Sequence, residues 1–245
     1  MKASITGFVT LIIPINFIKV FFLKLLGHEI SYSSRIGMSF IKTKRIILSA
    51  NSSIGRFNYI KIEQLQLEKN SFIKHANFIR GPFQILIKEK GSITSQNKIR
   101  RAYAPITSGI SKLEIGFDSH IVSNQFLDLT KSIIIGSRSQ VAGIGAQFWT
   151  HGYYHFKNLE RIRIDGDITI GDNVYIGSRC TFNAGVKVAD NITIGSNSTI
   201  SKDLTEEGLY VNQALRFVEK EEKSTLKKLK KIDDQGLFEN VYEKK

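Results

Sequence analysis

Cysteine is almost absent from this 245-residue chain: Cys180 stands alone, beside three prolines, two methionines and one tryptophan. A single thiol excludes a disulfide framework and a cysteine-built zinc site, and it suits a reducing, cytoplasmic setting. With three prolines and 42% hydrophobic residues, long disordered tracts are not expected. Acid is scarce as well. The 22 Asp and Glu against 35 Lys and Arg leave a net charge of +13, which favours anionic partners such as nucleic acid, a phosphorylated cofactor or an anionic lipid surface.

A clean apolar run of spanning length is also missing. From Ile5 to Leu26 the chain is mostly apolar, but Pro14, Asn16, Lys19 and Lys24 interrupt it, whereas a spanning helix wants about 20 apolar residues with few or no charges. Beyond Pro14, helical geometry sets Asn16, Lys19 and Lys24 on one side and Ile18, Phe21, Phe22 and Leu25 on the other. Residues 1–29 are therefore expected to form either an interfacial helix in peripheral contact with the cytoplasmic membrane or a helix packed on the protein itself. No secretory signal is expected, because only Lys2 supplies a positive region and no small-residue cleavage site follows.

What the chain does contain is a period of six. Aliphatic or Phe residues recur at Ile164, Ile170, Ile176, Phe182, Val188, Ile194 and Ile200, with shorter runs upstream such as Leu48, Ile54, Ile60 and Ile115, Ile121, Leu127. Helices need spacings of three and four, so helix is excluded over this region. In the downstream run, counting each inward residue from Ile170 on as the first of its hexad, the fourth residue is Asn173, Arg179, Gly185, Asn191 or Asn197. Four of these five are types that tolerate the left-handed backbone of a sharp corner. The fifth residue is Val174, Cys180, Val186, Ile192 or Ser198, small or β-branched, and strand alternation turns it inward with the next repeat's first residue. Three such sides make a triangular coil of about 18 residues, and coils stack about 4.8 Å apart as parallel sheets.

These hexads resemble the hexapeptide-repeat acyltransferases, and the resemblance implies a left-handed parallel β-helix, here over residues 30–203. Residues 204–245 form a C-terminal extension in which Gln213 to Ile232, with Leu215, Val218, Leu226, Leu229 and Ile232 among charges, reads as an amphipathic helix. The hexads fail between Val141 and Ile164, and the gap holds the single Trp, two of the five His and two Tyr. Insertions at solenoid corners are where function usually sits. There THGYYH, followed by IDGDITIGDNVYIGSRCTFNAGVKVADNITIGSNSTISKD, is similar to the C-terminal half of galactoside, maltose and related sugar O-acetyltransferases, a match covering about Asn124 to Val218.

That resemblance implies an acetyl-CoA-dependent O-acetyltransferase that acts on a sugar or surface-polysaccharide precursor as a homotrimer with sites between chains. His151 falls at the catalytic histidine, where an imidazole can take the proton of an attacking hydroxyl. Asn124 matches an acceptor-binding asparagine, with a corner asparagine as the competing explanation. Trp149, Tyr153, Tyr154 and His155 are candidates to contact a sugar ring. Ser178, Gly185, Ser196, Ser201, Lys202 and Arg216 match positions lining the coenzyme A cleft, the last two facing phosphates. Ala184 and Ala214 stand where the family has proline.

Three other readings compete. N-acylation of an amino sugar uses the same parts. A zinc hydratase would use His120, His151 and His155, but His120 precedes the inward Ile121 and should face outward, so no metal is expected. A non-enzymatic scaffold would use the basic stretch Arg216 to Lys231, yet no stacking-aromatic nucleic-acid module is present, and nucleic acid is not an expected partner. Cys180, at an inward position, is expected to act as a small hydrophobe.

Overall fold

In the hexads, each inward aliphatic residue is followed by a corner, and in the computed structural model the backbone closes as that pattern demands. The structure describes residues 2–157, 160–212, 226–232 and 241–244. Three parallel sheets form the sides of a β-helix. The first has eight strands, from Glu29–Ile30 to Lys187–Val188; the second has nine, from Arg35–Ile36 to Gly208–Tyr210; the third has eight, from Phe40–Lys42 to Thr199–Ile200. Inward residues pair one coil apart: Ile170 with Val188, Ile176 with Ile194 and Phe182 with Ile200, each 18 positions on. The core is the column these pairs make. In the third sheet Ile60, Ile79, Ile99, Leu127, Phe148 and Phe182 are all buried, and the last two stack their rings at 4.5 Å.

The corners follow the same logic. Asn173, Arg179, Gly185, Asn191 and Asn197 all have left-handed φ values, from 55° to 79°. Upstream corners reach the same geometry with less suitable residues, including Phe57, Ala76, Lys90 and Gln96. Upstream coils are also longer: Ile60 pairs with Ile79 and Ile79 with Ile99. The surplus lies in the passage from the third sheet to the first, whose strands lengthen to Gln64–Leu67 and Phe83–Ile87. Added residues there shift the phase of the repeat without changing which side chains face in.

Helices α1 (Lys2–Ile12) and α2 (Asn16–Leu25) cover the open end of the first coil. Sheet edges left bare would invite pairing with other chains, and solenoids need capped ends. The cap is made by polar side chains. Asn16 donates its amide to the Ser34 carbonyl and accepts from the Ile36 N–H, both at 2.8 Å. Lys19 Nζ donates to the carbonyls of Ile36 (2.8 Å) and Gly37 (3.1 Å), and Thr10 Oγ1 accepts from the Ile41 N–H. Of the two expectations for this segment, the structure shows a helix packed on its own protein, through the Asn16 and Lys19 side of the projection. Lys24 alone of that trio stays exposed, over the Tyr32 ring.

Two further expectations are corrected at the other end. The solenoid passes residue 203, because Leu204 bridges to Val188 and Gly208–Tyr210 adds a last strand to the second sheet. Of the helix expected from Gln213 to Ile232, residues 213–225, with Leu215, Arg216 and Val218, lie outside the described residues. Leu226 and Lys227 are helical, but Leu229–Lys231 is a strand, paired antiparallel with Val241–Lys244, so the helix does not run on to Ile232. Val241–Lys244 in turn pairs with Arg161–Asp165, so the C-terminal segment returns to the protruding hairpin.

Candidate active site

The break in the repeat is narrower than the hexad count implied. Gln147–Trp149 is still a strand of the third sheet, with Phe148 inward above Leu127. A corner one residue longer, at Gly143–Gly145, carries the phase shift. The excursion proper is an antiparallel hairpin of His151–His155 and Arg161–Asp165. Ile164 belongs to it, and the regular coil resumes at Ile168–Ile170. His151 is the first residue of the hairpin, at the corner where the third sheet would turn toward the first.

One coil below, Asp128 ends the strand Phe126–Asp128 and is buried. Its Oδ2 accepts from His151 Nδ1 at 2.8 Å and from the Thr150 hydroxyl at 2.7 Å, and its Oδ1 accepts from the Thr130 hydroxyl at 3.0 Å. Burial by itself pushes the Asp128 carboxyl up, but the hydrogen bond and charge of His151, with both threonine hydroxyls, hold it below the ordinary carboxylate value. The Asp128 hydrogen bond raises the His151 pKa above 6.5, opposed by burial and helped by the charges of Asp128 and Asp165. A carboxylate on Nδ1–H fixes the tautomer and leaves Nε2 as the basic nitrogen.

Asp128 was not singled out in the sequence. The available signal was register: its position pairs with Trp149, two residues before His151, and a carboxylate buried on a coil is costly unless it has a partner. Arg163 and Asp165 were also missed. They form a buried two-pronged ion pair, with Nε to Oδ1 at 2.9 Å and Nη2 to Oδ2 at 3.1 Å. Arg163 also donates to the Ile106 carbonyl, tying the hairpin to the excursion between Arg100 and Ser111. Burial raises the Asp165 carboxyl pKa despite Arg163.

The aromatic candidates partly assemble. The Trp149 and Tyr153 rings stand edge-on to His151, with centroids at 6.3 Å and 6.0 Å, and Trp149 also packs on Phe126. Tyr154 packs on Phe156, and His155 is exposed at the far end of the strand. His151, Tyr153, Asn183, Ala184 and Lys244 line one shallow depression.

The remaining candidates separate into two columns. Gly185, Ser201 and Lys202 lie past the third sheet, on the same corner column as His151. Asn124, Ser178 and Ser196 lie on the opposite edge, where the second sheet turns into the third. Asn124 has φ 60°, and its carbonyl accepts from the Gly145 N–H, as a corner asparagine should. It is four residues from Asp128 along the chain, roughly 13 Å at strand rise, so within one chain it does not meet His151. Ser201 and Lys202 line an open cleft with Tyr210 and Asn212. Arg216 lies outside the described residues.

The histidines of the zinc reading are dispersed: His120 sits in the second sheet, its Nδ1 2.8 Å from the Ser92 hydroxyl. Cys180 is buried 3.2 Å from the Gly195 carbonyl, and burial pushes its thiol pKa up, which disfavours a thiolate nucleophile.

Residues 167–202 match the family model described as bacterial transferase hexapeptide (six repeats). Among curated protein sequences none matches the chain significantly. Similar solved structures include a hexapeptide-repeat acetyltransferase from Vibrio cholerae, 24% identical over 44% of this chain and 61% of that one, with a TM-score of 0.39. The alignment thus spans less than two thirds of that relative. A mutant of AntD, an N-acyltransferase from Bacillus cereus in complex with dTDP and coenzyme A, is 15% identical over 72% of this chain and 87% of that one (TM-score 0.44). The polysialic-acid-specific acetyltransferase NeuO is 17% identical over 78% and 79%, with a TM-score of 0.42. The repeat and the coils it builds make the chain a left-handed parallel β-helix of hexapeptide repeats, of which residues 167–202 carry the repeat that the bacterial transferase hexapeptide model describes.

Proposed function

We propose that the chain is an acetyl-CoA-dependent O-acetyltransferase acting on a sugar or surface-polysaccharide precursor, with His151 as general base. The observation that carries this reading is the Asp128–His151 pair, which holds Nδ1 and leaves Nε2 free to act at a solenoid corner. In the reaction an acceptor hydroxyl attacks the thioester carbonyl. The new C–O bond forms, the C–S bond breaks, and the hydroxyl proton passes to His151 Nε2 and then to the departing thiolate. Asp128 stays ionised and stabilises the imidazolium in between. Trp149 and Tyr153 supply apolar faces beside the base, and Lys202 supplies a cation for the phosphates of coenzyme A.

The separation of candidates onto two edges supports a site completed by a second copy. His151 and Lys202 come from one corner column, while Asn124, Ser178 and Ser196 come from the other. A closed ring of three chains would set one chain's first column against its neighbour's second. The homotrimer is part of the proposal for that reason.

Acetyl-CoA consumption against a panel of sugars, nucleotide sugars, amino sugars and lipid-linked glycans tests the reading. Consumption that requires a hydroxyl acceptor and is lost in His151→Ala supports it. Consumption only with amino sugars would replace it with N-acylation, and no consumption with any acceptor would count against an enzyme.

A further inference from the structure

The N-terminal cap is built inside out. In a helix packed on a protein, polar residues ordinarily face water and apolar ones face the core. Val20 and Leu23 do face in, but Thr10, Asn16 and Lys19 go in with them to satisfy the edge of the first coil. Large apolar side chains are left outside. Of the 24 large hydrophobic side chains exposed among the described residues, ten lie in residues 5–25, about a tenth of the chain. Phe8, Ile12, Phe17 and Leu25 are each 60% exposed or more. An apolar patch this concentrated marks an interaction surface.

Charge selects the occupant. The first 28 residues contain three lysines and no Asp or Glu, and Lys2, Lys24 and neighbouring Arg35 have no acidic partner within ion-pair distance among the described residues. Apolar side chains rimmed by unopposed cations match the interface of an anionic bilayer, where the rings enter the acyl boundary and the lysines remain among headgroups. No helix among the described residues is long and apolar enough to cross. We infer that the outer face of α1 and α2 docks the protein onto an anionic membrane surface, with the solenoid end-on to the lipid.

The coil count then sets a height. His151 follows the sixth strand of the third sheet, five coils beyond the cap, or about 24 Å at 4.8 Å per coil. On the acyltransferase reading, which this consequence rests on, the acceptor reaching His151 is a glycan chain extending from the lipid rather than the sugar nearest it.

Vesicle flotation of the full chain tests the docking itself and is independent of catalysis. The wild type should float with phosphatidylcholine vesicles containing phosphatidylglycerol, and less so with phosphatidylcholine alone or at high salt. The combined variant Phe8→Asp, Phe17→Asp, Leu25→Asp should partition about tenfold less or lower, with thermal stability and sedimentation mass unchanged. A triple Ser variant of the same residues provides the same comparison should the Asp variant misfold. A folded wild type that stays at the bottom with anionic vesicles overturns the inference. So does flotation that the substitutions leave intact, or a fall in sedimentation mass without lost flotation, which would show the patch joining copies of the chain.

Discussion

The two halves of the solenoid reach one geometry with different residues. Downstream of the hairpin, coils take 18 residues and corners are Asn or Gly in four of five cases; upstream, coils are longer and Phe57, Ala76, Lys90 and Gln96 adopt the same left-handed φ. The inward column and strand register therefore specify the coil, and the corner residue sets how much strain the coil carries. The halves also divide their labour. The upstream end spends its buried polar groups on closing the fold, through Asn16 and Lys19. Coils five and six place theirs, Asp128 and His151, where one nitrogen remains available for chemistry.

This division can be broken from either side. The largest effect is expected at His151: replacing it by Ala should lower turnover about 100-fold or more, the usual scale for loss of a general base, with little change in melting temperature. Steady-state kinetics and calorimetry on one preparation check both halves of the statement.

Lys19→Met should do the reverse. It leaves the Ile36 and Gly37 carbonyls without their donor, a loss of about 1–3 kcal/mol, read as a lower unfolding free energy with turnover unchanged. Its pH signature is distinct. Burial lowers the Lys19 pKa from 10.5 to about 8. Between those values the folded chain has shed a proton that the unfolded chain still binds. The Lys19 contribution to stability therefore rises with pH across that window, and Lys19→Met should lack the rise.

The corners should give the smallest effects, of opposite sign in the two halves. Ala76→Gly, at φ 57°, should stabilise by about 0.5–1 kcal/mol, because glycine removes a left-handed penalty larger than its entropic cost. Asn173→Ala should destabilise by about 1 kcal/mol, since it adds that penalty and removes the amide bond to Asn191. Chemical denaturation resolves changes of this size.

Much of this was legible from the period of six, because an inward residue every six positions leaves few ways to arrange a backbone. The corner residues were readable for the same reason, and His151 stood out as a candidate base because resemblance and a break in the repeat coincided there. Asp128 was not, since its partner lies 23 residues away and only the stacking of coils brings the two together. Which side of the N-terminal helices would turn inward was left open by the sequence, for an energetic reason. Helical projection assigns polar residues to water, but the unpaired carbonyls of a first coil compete for the same donors, and burying Lys19 satisfies two of them.

The base itself is tested most directly by the pH dependence of kcat/KM in the wild type and in Asp128→Asn. Asp128 raises the His151 pKa above 6.5, and a base works only when unprotonated, so wild-type activity should fall as pH drops through a value above 6.5. The same shift adds stability at low pH that is lost as pH rises through the folded value. With Asn at position 128 the acid limb should move to lower pH, and the plateau should drop about tenfold or more as the tautomer is released. An acid limb that stays in place, with the plateau intact, would contradict a His151 base held by Asp128.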